Sequence, residues 1–162
     1  MPTQTTNPKL QFEAVESLLT RWLQERRALL GKYTEIVVTL DGSATDEAFM
    51  SRQSKLCELL VDYISAGHFE VFHELINEAE QFGDGSCAIA EKIMPAIGDT
   101  TEVILAYEEK YANDGEQREK LRRDLAALGE MLESRFQLED QLIAGLHNRH
   151  RRLVQDQASL SG

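Results

Sequence analysis

The sequence predicts an all-α protein, an antiparallel up-down helical bundle with a four-helix core plus short or broken extra helices. Three observations carry that expectation. Apolar residues recur at steps of three or four along most of the chain, and turn clusters rich in glycine and aspartate divide these stripes. An alternating strand pattern competes only in the short run Ile36-Val37-Val38-Thr39-Leu40. The 162 residues fit one domain, 1–162, with residues 11–153 as its ordered part and both ends frayed. A chain of this length buries roughly 70% of the surface its unfolded form exposes.

The first stripe is Phe12, Val15, Leu18, Leu19, Trp22, Leu29, Leu30, Tyr33 and Ile36, one long amphipathic helix that stops at Asp41-Gly42-Ser43. Thr45 with Asp46 and Glu47 resembles a cap for a second helix. Leu56, Leu59, Leu60 and Tyr63 form its apolar face to about Ser65, and Gly67 marks a bend or break. Phe69, Phe72, Ile76 and Ala79 make a third helix, closed by Phe82-Gly83-Asp84-Gly85, with Ser86 as the expected cap of the next. The fourth stripe is Ile89, Ile93, Ile97, Ile104, Tyr107 and Tyr111. Pro95 sits at a kink or a helix start within it, because it lacks an N–H, and Asn113-Asp114-Gly115 ends it. From Leu121 through Phe136 to Leu153, one apolar face predicts a single last helix of about nine turns with a fraying basic end.

Charge is unevenly distributed. Residues 1–40 carry five basic and four acidic side chains, residues 41–116 four and seventeen, and residues 117–162 eight and seven, so the middle holds the whole excess behind the net −11. Such a surface repels a phosphate backbone, which argues against direct nucleic-acid binding and for a basic partner. Nothing approaches the roughly 20 consecutive apolar residues of a membrane span. The opening segment lacks the basic start and apolar run of a secretory signal, and Cys57 and Cys87 are the only thiols, so a reducing cytoplasm is expected.

Catalytic chemistry finds little purchase. A ferritin-like di-metal site needs two Glu-x-x-His steps, and only Glu70 to His73 is present. His147 and His150 share a face with Asp140 but lie in an arginine-rich tail, where solvent exposure is expected. Cys57 and Cys87 have no activating context and read as inert core thiols. The turn 82–86 lacks the lysine of a phosphate-binding loop. The expectation is therefore no enzyme, no metal and no cofactor. More informative are two charges on apolar stripes: Arg26, four residues after Trp22, and Glu139, three after Phe136. One account has them pair with each other or snorkel out of the bundle rim; the other has them form a polar pocket open to a partner. Asp62 and Ser65 lie on the polar side of the second helix with Lys55 and Glu58, and His68 sits at the bend.

Three of these segments resemble one family. The run Leu59-Leu60-Val61-Asp62-Tyr63-Ile64-Ser65-Ala66-Gly67-His68-Phe69-Glu70-Val71-Phe72 is similar to the most distinctive segment of the Rsd/AlgQ family, bacterial regulators of the housekeeping sigma factor. Arg21-Trp22-Leu23-Gln24-Glu25-Arg26 resembles the family's first-helix block. Arg135-Phe136-Gln137-Leu138-Glu139-Asp140-Gln141-Leu142-Ile143 resembles its last-helix block. The likeness spans roughly residues 11–150 and departs in the linkers, the 82–86 turn and the tail after His150. It implies a helical bundle that binds the C-terminal helix-turn-helix region of the sigma factor, excludes DNA and core polymerase by occlusion, and favours alternative sigma factors in stationary phase. It further implies that Trp22, Arg26, Asp62, Ser65, His68, Phe69 and Glu139 lie on or beneath the binding surface. The competing readings are a helical adaptor for a metabolic or phosphotransfer signalling protein and, last, a metal-containing bundle enzyme.

Overall fold

The computed structural model describes residues 7–40, 46–112 and 118–161, all but a few of them helical. The elements are α1 (Pro8–Thr39), α2 (Asp46–Ala66), a π-helical turn (Gly67–Val71), α3 (Phe72–Phe82), α4 (Cys87–Tyr111), α5 (Arg118–Leu146), a 3-10 turn (Asn148–His150) and α6 (Arg151–Ser161). Among the described residues there is no strand, and no helix is long and apolar enough to cross a membrane.

Helix α1 begins four residues before the apolar stripe does. Asn7 is its cap, accepting the Lys9 N–H at 3.0 Å, and Pro8 stands where a missing N–H costs nothing. The β-branched run at its far end stays helical because Ile36 is buried, while the Thr39 hydroxyl donates to the Glu35 carbonyl at 2.6 Å. Packing here overrides strand propensity.

Contacts between helices fix the topology. Trp22 meets Tyr63 and Glu35 meets Arg52, so α1 and α2 run antiparallel. Arg135 meets Thr100 and Tyr111 meets Asp124, which sets α4 against α5 in the same way. The bundle is thus four rods, up and down, around a core that includes Trp22, Leu29, Leu56, Leu60, Leu75, Ile97, Ile104, Leu125 and Leu132.

Two open expectations are narrowed and two are corrected. Gly67 does not break the chain: α2, the π turn and α3 form one continuous helical rod, with the Phe72 N–H donating to the Gly67 carbonyl five residues back. Pro95 lies inside α4, which starts eight residues earlier at Cys87. The Ser86 side chain makes no capping bond; the Asp84 carboxylate accepts the Ser86 N–H at 3.1 Å, and Gly83, in the left-handed region at φ 59°, closes α3. The last helix is not single. It stops at Leu146, turns at His147 and resumes as α6, leaving Leu153 exposed. The expected turns at 41–43 and 113–115, the Thr45 cap and the frayed first residues lie outside the described residues.

Candidate functional site

The π turn has a local cause. An ideal Cβ on Gly67 would sit 2.9 Å from Cζ2 of Trp22, so only glycine lets the rod pass this close to the indole. Trp22 is buried, stacks on Tyr63 at 4.7 Å between ring centroids, meets the Phe72 edge at 5.7 Å, and donates its indole N–H to the Tyr63 carbonyl at 3.1 Å. Gly67 and Val71 face inward, while His68, Phe69 and Glu70 are all exposed. A single-turn π bulge thus turns three consecutive side chains to solvent.

Phe69 is the most exposed large apolar side chain described, at 74%. It borders a groove of about 340 Å³ between the π turn and α4, with Ile64, Ser65, His68, Phe72, Met94, Ile97, Leu105 and, at its polar side, Arg135. Glu70, next to Phe69 in the chain, lies close enough to Glu25 and Asp62 for the three charges to interact. Burial raises the Glu25 pKa, and the charges of Asp62 and Glu70 add to that rise against the pull of Arg21. None of the three carboxylates has an ion pair among the described residues; Arg21 acts on Glu25 only as a nearby charge.

Behind this surface runs a buried polar network. Glu139 is fully buried and accepts the Tyr63 hydroxyl at 2.5 Å, Arg26 Nη2 at 2.9 Å and Arg135 Nε at 2.8 Å. Arg26 also donates Nε to the Tyr63 hydroxyl at 3.0 Å and Nη1 to the exposed Asp140 at 2.9 Å, and its guanidinium lies 4.6 Å from the Phe136 centroid. Arg135 in turn donates to the hydroxyls of Thr101 at 2.7 Å and Thr100 at 3.1 Å on α4. Burial raises the Glu139 pKa although Arg135, Tyr63 and Arg26 pull it down. For Arg26 burial favours the neutral form, but Tyr63, Asp140 and Glu139 outweigh it and the net shift is upward. Two permanent cations enclose one carboxylate, which pins α1, α2, α4 and α5 together.

The seven sequence-derived site residues therefore separate into tiers. Ser65, His68 and Phe69 line the groove, and Asp62 is on the exposed acidic side. Arg26, 13% exposed, and buried Glu139 pair with each other, the first of the two arrangements the sequence left open. Trp22 lies beneath, under Gly67, and stacks on the Tyr63 ring that belongs to the network. Glu70 and His73 are both exposed, and no group of metal-binding side chains occurs among the described residues. Burial pushes the Cys57 thiol up to about 12, with Glu108 adding to it, and that far from neutrality it is no nucleophile.

A second cluster escaped the sequence reading. His147 and His150, expected in solvent, are fully buried. His147 Nδ1 lies 2.6 Å from Glu78 Oε1 and Nε2 lies 2.6 Å from Glu16; His150 Nδ1 lies 2.6 Å from Glu78 Oε2 and Nε2 lies 3.0 Å from Asp84. Phe12 stacks on His147 at 4.1 Å and Phe82 on His150 at 4.0 Å. Arg151 bonds Glu16 at 3.0 Å, and Arg149 lies 3.4 Å from Asp84. Hydrogen bonds from Arg151 and then His147 lower the Glu16 pKa, and for Asp84 the bonds from Ser86 and His150 overcome burial to hold it at about 2. The overlooked signal was Glu78, a carboxylate on the apolar stripe of Phe72, Leu75 and Ala79.

Residues 1–147 match the family model described as regulator of RNA polymerase sigma(70) subunit, Rsd/AlgQ. The chain is 37% identical over 133 residues to the regulator of sigma D of Salmonella paratyphi A (strain ATCC 9150 / SARB42), covering 78% of this chain and 79% of that protein. It is 32% identical over 130 residues to the regulator of sigma D of Yersinia pseudotuberculosis serotype O:1b (strain IP 31758), covering 78% and 77%. The corresponding protein of Yersinia enterocolitica serotype O:8 / biotype 1B (strain NCTC 13174 / 8081) is 31% identical over 130 residues, covering 78% of each chain. No solved structure matches.

Proposed function

The chain belongs to the Rsd/AlgQ family of regulators of the RNA polymerase sigma(70) subunit, and from that premise we propose that it holds the sigma factor by its C-terminal helix-turn-helix region. Its family is one of regulators and is not a known family of enzymes. The observation that carries the reading is Phe69, projecting from the π turn at the mouth of an apolar groove, next to Glu70 of an acidic group that also holds Glu25 and Asp62. A DNA-binding helix-turn-helix is basic where it faces phosphates. Such a face meets the carboxylates, while an apolar side chain beside it enters the groove and the Phe69 ring is buried between the partners.

Occupation is sufficient for inhibition. A module covered on its basic face reaches neither promoter DNA nor the core enzyme, so no bond need be made or broken. In this reading Ser65, His68 and Phe69 touch the partner, Asp62 attracts it, and Trp22, Arg26 and Glu139 hold the π turn and its neighbours in place beneath. Favouring alternative sigma factors in stationary phase, and residence in the bacterial cytoplasm, follow from the same proposal.

Chemical-shift perturbation with the isolated C-terminal region of the housekeeping sigma factor tests it. The largest shifts are expected at residues 65–70 and along the groove side of α4, from Met94 to Leu105. Shifts confined to α6 and the far end of α1, or none at all, would contradict the proposal. Stronger binding by a phosphotransfer or metabolic protein than by the sigma fragment would favour the adaptor reading instead.

A further inference from the structure

The family match stops at His147, and His150 and α6 lie beyond it. At that point the structure places two buried imidazoles in contact with three carboxylates drawn from three other parts of the fold. They are Glu16 of α1, Glu78 of α3 and Asp84 of the α3–α4 turn, and the cations on the histidines' own segment are Arg149 and Arg151. Glu78 is shared, one oxygen to each ring.

A neutral imidazole has one N–H and one lone pair, whereas an imidazolium donates from both nitrogens. Here all four ring nitrogens lie 2.6 to 3.0 Å from carboxylate oxygens. A neutral ring would set a lone pair against an ionised oxygen at hydrogen-bond distance, with no water able to intervene at that spacing. Phe12 stacks on the first ring and Phe82 on the second, which fixes the planes of both imidazoles. With both rings protonated, four cations meet three carboxylates and every ring N–H has an acceptor.

We propose that the C-terminal segment is a proton-dependent clip: α6 docks on α1, and the turn before it on α3, while His147 and His150 are both imidazolium cations around Glu78, and the segment releases when they lose those protons. The docked state binds more protons than the released one. Its docking is therefore favoured at lower pH, where both rings hold the second proton, and is lost as pH rises. Across that loss the release constant rises about tenfold per pH unit for each proton held only in the docked state, about a hundredfold for two. Release uncovers Phe12 and Phe82 and frees Glu16, Glu78 and Asp84, so alkalinisation exposes a second acidic, aromatic surface.

The test is a pH titration of the whole protein that follows the imidazole nitrogens of His147 and His150 together with the backbone amides of residues 151–156, with exposed His68 and His73 as internal references. Expected is protonation of all four ring nitrogens while α6 is docked, and movement of the α6 amides to random-coil positions as the two rings lose their protons. A neutral tautomer at either ring in the docked state would overturn the proposal, as would an α6 that stays docked after both rings have titrated. In Glu78→Gln the amide can accept from one ring and donate to the other, so a neutral ring fits and the steepness should fall from about a hundredfold to about tenfold per pH unit. Unchanged steepness overturns the proposal. Should that variant fail to fold, His150→Gln removes one of the two titrating rings and must halve the proton count in the same measurement.

Discussion

The two ends of the rod segment from Gly67 to Asp84 both carry clustered carboxylates, and the protein treats them in opposite ways. At the far end Glu16, Glu78 and Asp84 are answered by His147, His150, Arg149 and Arg151 within the same chain. At the near end Glu25, Asp62 and Glu70, the last adjoining Phe69 in the chain, form no internal ion pair among the described residues. A folding chain gains from pairing its charges, so negative charge left uncompensated beside an exposed aromatic ring is a cost to the free protein that a basic partner can offset. Acidity alone does not mark the binding face. The absence of an internal ion pair does.

Substitutions can sharpen this contrast, and the buried network should respond most. Glu139→Ala leaves the buried guanidinium of Arg135 and the largely shielded one of Arg26 without their shared carboxylate. A loss of about 3–5 kcal/mol in chemical denaturation is expected, because arginine cannot relieve the strain by giving up its proton. Glu78→Ala should cost less than Glu139→Ala, because the stranded imidazoles can become neutral; equal losses would show that the two clusters do not differ in this way.

Gly67→Ala comes next. Its methyl would press on the Trp22 ring at 2.9 Å, and a thermal denaturation series should show destabilisation of about 1–3 kcal/mol together with weaker sigma binding. Phe69→Ala should leave stability within about 0.5 kcal/mol of the parent, since the ring is exposed, yet remove about 2 kcal/mol of binding. Smallest is Asp62→Ala, which should weaken binding by about 1 kcal/mol or less and flatten its salt dependence without loss of helicity.

The answered cluster also has an acid limit. The folded-state pKa of Asp84 is depressed from 3.8 to about 2, so its contribution is present above its unfolded value and disappears as pH falls through about 2. Circular dichroism with α6 resonances as the local probe should show the α6 contacts loosening across that interval.

How much of this was legible follows from where periodicity carries information. The four rods were readable because their stripes are long, and the Arg26–Glu139 pair was readable because each is a charge on an apolar face. Glu78 is the same kind of signal and passes unnoticed on α3, since its partners sit in a sequence segment that looks like a solvated tail. His147 and His150 are polar by composition and core by protonation, which a hydrophobicity pattern does not register. The π turn was hidden for another reason. A glycine after a helical stripe ordinarily marks a stop, and only the Trp22 ring pressed against Gly67 explains why the chain continues with one extra residue in the turn.

The account rests most heavily on the unanswered acidic face around Phe69. Its most direct test is the affinity of the sigma factor's C-terminal region for the protein and for Phe69→Ala, measured by calorimetry at rising salt concentration. The account predicts binding that weakens steadily with salt and a variant about thirtyfold weaker at every concentration. Affinity that ignores both the salt and the missing ring would contradict it.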